Sequence, residues 1–261
     1  MNEKRRYPRN PAPVEEIEGQ LEGRNALTEA LRSGRTIDKV FIASGETDRA
    51  LQRLAAQAKE AGAVVVPVDR RKLDAMSTTH AHQGVITLAA AHEYSTIDDI
   101  LEEAAQRGEN ALLVICDELT DPHNLGAIMR SAECAGAHGV IIPKRRSVGL
   151  TATVAKASAG AVEYMKVARV NNINNAIAEL KEKGVWVFGT AAEGSIPMYK
   201  ADLTGPAAIV IGNEGDGMSA LVRKNCDVMV HIPMKGRISS LNASAAASIL
   251  LYEAVRQRLN G

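Results

Sequence analysis

Short, near-continuous Val/Ile runs recur through the C-terminal two-thirds of the chain, each followed by a helical pattern or a polar turn. They are ALLVICD (111–117), GVIIP (139–143), YMKVARV (164–170), VWVFGT (185–190), AAIVIGN (207–213) and VMVHIP (228–233). A strand with one face in water alternates apolar and polar residues. Strands apolar at nearly every position are buried on both faces, which argues a parallel sheet covered by helices. The intervening helices are expected over 97–107, 124–137, after Thr151, over 172–183 and from Ala243 onward. Ligands of such sheets collect at the carboxyl ends of the strands, and the polar turns of this sequence lie there.

Residues 17–90 alternate helix and strand on a smaller scale: a helix closing at Gly34, strand KVFIAS, a helix ending at Gly62, strand AVVVPVD, a short helix RRKLDAMST and strand GVITLAA. The expected organisation is a flexible basic arm (1–16), a small α/β domain (17–90), a linker (91–96) and a larger α/β domain (97–261). The arm mixes Lys4, Arg5, Arg6 and Arg9 with three prolines and carries too little apolar surface to order itself.

Composition excludes several classes. Lys+Arg 31 balances Asp+Glu 31, so a nucleic-acid partner must be held by local patches. Aromatics are 3%, too few for a base-stacking platform. The candidate patches are Arg24, Arg32 and Arg35, then Arg70 and Arg71 in the small domain, and Lys144, Arg145 and Arg146 in the larger one; each residue could also serve a solvated face. Cys116, Cys134 and Cys226 form no CxxC pair and read as reduced core thiols. His80 and His82 would share a face if they lay in a strand, but no Cys or carboxylate accompanies them as a metal ligand. With no secretory pattern at the start and no apolar run near the ~18 residues of a membrane span, a cytoplasmic protein is expected.

Three constellations carry the chemistry. DELTDPHNLGAIMR (117–130) leaves a strand through a turn shaped by Pro122 and Asn124, and places Asn124 and Arg130 about a turn and a half apart on one helix. IVIGNEGDGMS (209–219) empties a buried strand into a glycine loop carrying Glu214; its glycine offsets do not fit a dinucleotide fingerprint. HIPMKGRISSLNASAAAS (231–248) breaks at Pro233 and Gly236, then passes Ser240 and Asn242 into an Ala-rich helix. With GTAAEG (189–194), these small-residue loops make a pocket lined by main chain, suited to a small polar-plus-aromatic ligand.

DPHNLGAIMRSAECAG, IVIGNEGDGMS and IPMKGRISSLNASAAASILLYE, in this order and spacing, resemble the SpoU branch of the SPOUT superfamily, the trefoil-knotted RNA 2′-O-ribose methyltransferases. The small domain is similar to the ribosomal-protein-like RNA-binding module of the bacterial 23S rRNA guanosine-2′-O-methyltransferases. The resemblance implies a homodimer with a C-terminal trefoil knot that binds S-adenosyl-L-methionine. By motif position, Gly212, Ile232 and Leu241 would hold the methyl donor through main-chain contacts, with Thr190, Asn213 and Met234 lining the same pocket. Asn124, Arg130, Glu214, Ser240 and Asn242 match the family's catalytic and substrate-positioning residues; Ala243 stands where the motif commonly has valine.

The implied reaction is in-line attack of a ribose 2′-oxygen on the sulfonium methyl. It needs orientation and help with the hydroxyl proton, but no metal, because the leaving group is a neutral thioether. Arg130 takes the leading role, as a perturbed base or as a clamp on the neighbouring phosphate that stabilises the developing alkoxide. RNA rather than DNA is the expected partner, with 23S rRNA favoured and tRNA as the alternative. A non-catalytic ribosome-assembly factor is the competing class, and the retention of Arg130, Glu214 and Asn242 argues against it.

Overall fold

The computed structural model describes residues 19–260 except positions 46, 47, 91, 192, 193, 214, 216 and 239. The basic arm and Glu214 therefore lie outside the described residues. The chain divides into two units between Leu88 and Ala89.

The first unit runs β1 (Gln20–Glu22), α1 (Arg24–Arg32), β2 (Ile37–Ala43), α2 (Arg49–Glu60), β3 (Val64–Val68), α3 (Arg70–Met76) and β4 (Val85–Ala89), with sheet order β1-β4-β2-β3. Asp48 and Asp69 start α2 and α3 by accepting the N–H groups of Ala50 and Arg71. Leu27, Val40, Leu51 and Val85 are fully buried between sheet and helices. Strand β1, too short to carry a sequence pattern, matters for one side chain. The Glu22 carboxylate accepts the hydroxyls of Ser77 and Thr79 and, at 2.7 Å, the Thr78 N–H. Burial opposes its charge, but these donors outweigh burial and hold it well below the usual carboxylate range. The loop so gripped turns through His80 (φ 56°) and Gln83 (φ 50°). The two histidines consequently share no strand face. His82 is buried, its Nδ1 accepting the Gly84 N–H at 3.0 Å and its Nε2 lying 2.9 Å from Asp74.

The second unit runs α4 (Ile97–Arg107), β5 (Leu112–Cys116), α5 (Pro122–Cys134), β6 (Gly139–Pro143), α6 (Ala152–Ala157), β7 (Lys166–Val170), α7 (Ile173–Glu182), β8 (Trp186–Thr190), β9 (Ile196–Pro197), β10 (Ala207–Ile211), α8 (Ala220–Asn225), β11 (Val228–His231) and α9 (Ala243–Asn260). The seven strands are all parallel, in the order β7-β6-β5-β10-β8-β11-β9. Every residue of β5, β6 and β10 is buried, as the unbroken apolar runs require. On one face Leu125, Ile128, Leu250 and Leu251 of α5 and α9 pack on Val114 and Ile209. On the other, Ile100, Ile177, Leu180 and Val222 of α4, α7 and α8 pack on Leu113, Ile115 and Val210. Tyr94 and Ser95, expected in a linker, are built into this unit: the Ser95 N–H donates to Val167 at 2.8 Å, and the Tyr94 hydroxyl accepts the Leu150 N–H at 2.9 Å.

The strand-start end of this sheet is bound by side chains. Arg258, in the last turn of α9, donates to the carbonyls of Asn110 (2.7 Å), Gly205 (2.7 Å), Ala111 (3.1 Å) and Leu203 (3.1 Å). Gln257 accepts the Leu203 N–H at 2.8 Å and donates to Ala201 at 3.0 Å. His138 is buried with Nδ1 accepting the Leu112 N–H at 3.0 Å and Nε2 3.1 Å from Glu109; burial pushes its pKa down, so the ring is neutral. Of the cysteines, Cys116 is a core thiol whose burial pushes its pKa up to about 12, and Cys226 is half-buried with burial pushing it up to about 11. Cys134, expected in the core, is exposed near the end of α5.

Candidate active site

Strand β10 inserts between β5 and β8, so the chain leaves β5 toward β6 on one side and fills the other side later. This is the switch point at which open α/β sheets bind ligands. At its rim Asp117 is buried; its N–H donates to Ile211 at 2.8 Å, and its carboxylate accepts the Ser219 N–H at 2.9 Å. The exit loops of β5 and β10 are thus fixed to each other.

Helix α5 begins two residues earlier than the sequence pattern suggests. Asp121 accepts the His123 N–H at 2.9 Å as N-cap, and Pro122 takes the first helical position, where its missing N–H costs nothing. Asn124 therefore stands on the first turn of the helix rather than in the preceding loop. Gly126 lets α5 approach α6, since a Cβ there would lie 2.5 Å from the Ala157 Cβ. The Asn124 side chain is buried, and its Oδ1 accepts the Asn242 Nδ2 at 2.8 Å. Asn242 in turn accepts the Ser244 N–H at 2.9 Å, the Ala245 N–H at 3.3 Å and the Ser244 hydroxyl at 2.6 Å. One carboxamide starts α9 and joins the first constellation to the third.

The second constellation closes on itself. Asn213 and Gly217 exchange two main-chain hydrogen bonds of 3.1 and 3.2 Å, and the Gly215 N–H donates to the Asn213 side chain at 2.9 Å. Gly212 cannot carry a side chain: its Cβ would lie 2.3 Å from the Gly217 carbonyl carbon. Gly217 takes φ 70°, the left-handed conformation that favours glycine.

A cleft of about 330 Å³ opens here, lined by Glu118, Leu119, Thr120, Asp121, Asn124, Arg146, Asn213 and Gly215. Asn124 and Asn213 meet in it, and Asn242 joins through Asn124. Of Lys144, Arg145 and Arg146, only Arg146 lines the cleft. Arg130 does not. Six residues past Asn124, at roughly 100° each, turn it to another face of α5, where it is exposed. Ser240 is exposed on the loop before α9. Glu118, absent from the sequence-based candidates, also lines the cleft and holds φ at 56°, and nothing in an acidic residue after a strand announces that.

Beside the cleft, β10, β8 and β11 are neighbours, so Gly212, Thr190 and Ile232 stand side by side at their exits. The Thr190 hydroxyl donates to the Val210 carbonyl at 3.0 Å. Ile232 packs partly on the core, while Met234 and Leu241 are 39% and 38% exposed. Apolar side chains, a glycine with no room for a Cβ and open loop main chain, with no charge among them, fit an adenosine-bearing thioether or sulfonium compound.

In the small unit, Arg35, Arg70 and Arg71 are exposed. Arg32 pairs with Glu29 at 2.9 Å. Arg24 is committed within the fold, pairing with Asp48 and donating to the Gln83 carbonyl at 3.2 Å, which makes it a poor contact for phosphate. Lys39 and Lys72, basic residues of the same clusters, each lie 5.9 Å from the Phe41 ring centre.

A family model described as the SpoU rRNA methylase family matches residues 111–252, and one described as RNA 2′-O ribose methyltransferase substrate binding matches residues 20–95. A Bacillus subtilis protein assigned by name to the TrmH family of tRNA/rRNA methyltransferases, YacO, is 47% identical over 236 residues, covering 90% of this chain and 94% of its own. The fold is shared with the SpoU methyltransferase AviRb of Streptomyces viridochromogenes in complex with AdoMet, at TM-score 0.60 and 27% identity over 93% of this chain and 91% of that one. An AdoMet-bound rRNA methyltransferase from Sinorhizobium meliloti aligns at TM-score 0.57 and 26% identity, over 91% and 86% of the two chains. Among the described residues no helix is long and apolar enough to cross a membrane. With its three constellations gathered at the switch point of a parallel sheet, the chain belongs to the SpoU (TrmH-like) methyltransferase family and is an S-adenosylmethionine-dependent RNA methyltransferase.

Proposed function

We propose that the protein is a cytoplasmic, homodimeric enzyme that methylates the ribose 2′-oxygen of a guanosine in the peptidyl-transferase region of 23S rRNA. The observation that carries this reading is the convergence of Asn124, Asn213 and, through its 2.8 Å bond to Asn124, Asn242 on one cleft beside the exits of β8, β10 and β11. Gly212, Ile232 and Leu241 would hold the donor through their main chain, with Thr190, Asn213 and Met234 around it. When bound, S-adenosylmethionine supplies an electrophilic methyl group on a sulfonium that leaves as a neutral thioether.

The residues of this chain orient and discharge the nucleophile. Asn124 and Asn242 form a fixed carboxamide pair against which a ribose can be set, and Ser240 and Glu214 complete the polar rim. Arg130, whose planar guanidinium matches a phosphate's oxygens, acts as a clamp on the phosphate beside the ribose and stabilises the developing alkoxide. Its position outside the cleft supports an action on a ribose bound across the dimer. The exposed Ile249 (37%) and Tyr252 (51%), one helical turn apart on α9, supply apolar surface for that dimer. The insertion of β10 between β5 and β8 supports a C-terminal trefoil knot. We assign residues 17–90 to RNA binding, with Arg32, Arg35, Arg70 and Arg71 on phosphate, and residues 97–261 to catalysis.

The test is transfer of labelled methyl to unmodified 23S rRNA and, separately, unmodified tRNA, with mapping of alkali-resistant ribose linkages. Label at one guanosine ribose of 23S rRNA is expected. Label in tRNA alone would overturn the substrate, and relatives named for both tRNA and rRNA keep that reading in view. Arg130→Ala should abolish turnover and Arg130→Lys rescue it poorly; near-normal turnover of Arg130→Ala at saturating donor and RNA would remove its assigned role.

A further inference from the structure

Two residues on the rim of the cleft share an uncommon conformation. Glu118 and Arg146 both hold φ at 56°, although neither is a glycine. They come from different loops, one leaving β5 and one leaving β6, and the loops are stitched together just beyond them. The Val148 N–H and the Ser147 hydroxyl both donate to the Leu119 carbonyl at 3.0 Å, and Leu119 is buried in the core. The left-handed turns lift the two charged side chains out of this seam, where the Arg146 guanidinium donates to the Glu118 carboxylate at 2.9 Å. The carboxylate side chain is 34% exposed and the guanidinium 78%, so the cation stands proud of the cleft mouth with its root held.

We infer that Arg146 contacts an RNA phosphate at the mouth of the cleft and that Glu118 is its positioning residue, restricting the guanidinium to the fork of directions that faces the substrate. Among the described residues Arg146 is the one cation lining the cleft, and Lys144 and Arg145 of its basic cluster do not line it. A long exposed guanidinium spends much of its binding gain on being ordered. Tied by one edge to a carboxylate, it keeps its remaining N–H donors for a phosphate oxygen and is already aimed. An exposed pair of this kind adds little to stability, so orientation is the more economical account of two loops turned left-handed to make it.

The inference rests on the RNA-methyltransferase reading, so the wild-type chain is assayed beside every variant with labelled S-adenosylmethionine and unmodified rRNA and tRNA. Glu118→Gly and Arg146→Gly serve as the variants, because glycine keeps φ near 56° at no steric cost and so removes the charge without disturbing the turn. Arg146→Gly is expected to raise KM for RNA tenfold or more, leave the donor's KM within twofold and reduce the slope of log KM against log salt by about 1. Glu118→Gly is expected to raise KM for RNA three- to tenfold with the salt slope unchanged, and to add less than twofold to Arg146→Gly. If wild type methylates RNA and both cleft variants match it in KM and salt slope, the pair is only a surface tie and the inference falls. A Glu118→Gly effect undiminished in the Arg146→Gly background would likewise overturn the positioning role. A wild type that transfers no methyl to either RNA would overturn the functional reading instead.

Discussion

The two ends of the larger unit's sheet are built from the same strands and held by different means. At the strand-start end, loose main-chain groups are fastened by long side chains: Arg258 takes four carbonyls, Gln257 an N–H and a carbonyl, and His138 the N–H of Leu112. At the exit end the loops satisfy one another, through the Asn213–Gly217 exchange and the Asn124–Asn242 pair, and leave apolar Met234, Ile238 and Leu241 partly in solvent. The first arrangement ties α9 to the sheet and keeps the strand starts in register. The second keeps side chains and main chain open to ligands within a preformed shape. Stability and chemistry are separated by the length of a strand, and substitutions at the two ends should fail in different ways.

The largest effect is expected from Gly212→Ala. Its added Cβ would meet the Gly217 carbonyl carbon at 2.3 Å, and the loop cannot yield without breaking the Asn213–Gly217 exchange. Donor binding measured by calorimetry should weaken at least ~100-fold, equivalent to about 2.7 kcal/mol. Donor affinity within threefold of wild type would show that the exit loop tolerates what the geometry forbids. Next is Gln257→Ala at the opposite end, which strands the Leu203 N–H and the Ala201 carbonyl. Urea unfolding should show a loss of about 1–2 kcal/mol with kcat and donor affinity unchanged at 25 °C; a kinetic defect would break the separation of the two ends. The smallest effect concerns acid. Burial lowers the His138 pKa below its unfolded value, so the unfolded chain binds a proton that the folded chain refuses, and stability falls as pH drops below the ordinary histidine range of about 6.5. Replacing His138 by Gln should flatten that part of the stability profile, and an unchanged slope would mean that another group is responsible.

How far the sequence could be read follows from the range of each interaction. Runs such as LLVIC and AAIVI announced buried parallel strands because burial on both faces leaves no polar position. Strands β1 and β9 and helix α8 were invisible because three, two and six residues are too few to carry a period. The start of α5 was misplaced because Pro122 signals a turn and a first helical position equally well, and the Asp121 side chain decides between them. Motif spacing brought Asn124, Asn213 and Asn242 forward as candidates, but not the bond between the first and last, whose partners are 118 residues apart. Glu118 and Arg146 escaped notice as a pair because their left-handed turns are imposed by loops that meet only in the folded chain.

The most direct test of the account compares Asn242→Ala with Arg258→Ala, two substitutions around the same helix α9, by measuring unfolding free energy in urea and kcat for methyl transfer to RNA on each. Asn242→Ala removes a helix cap and the Asn124 partner, and should cost about 1 kcal/mol of stability while lowering kcat on the order of 100-fold. Arg258→Ala removes four hydrogen bonds from a charged donor, and should cost about 2–4 kcal/mol while leaving kcat within about twofold at temperatures where the protein stays folded. Parallel losses of stability and kcat in both variants would contradict the account, because chemistry and stability would then share one structural unit.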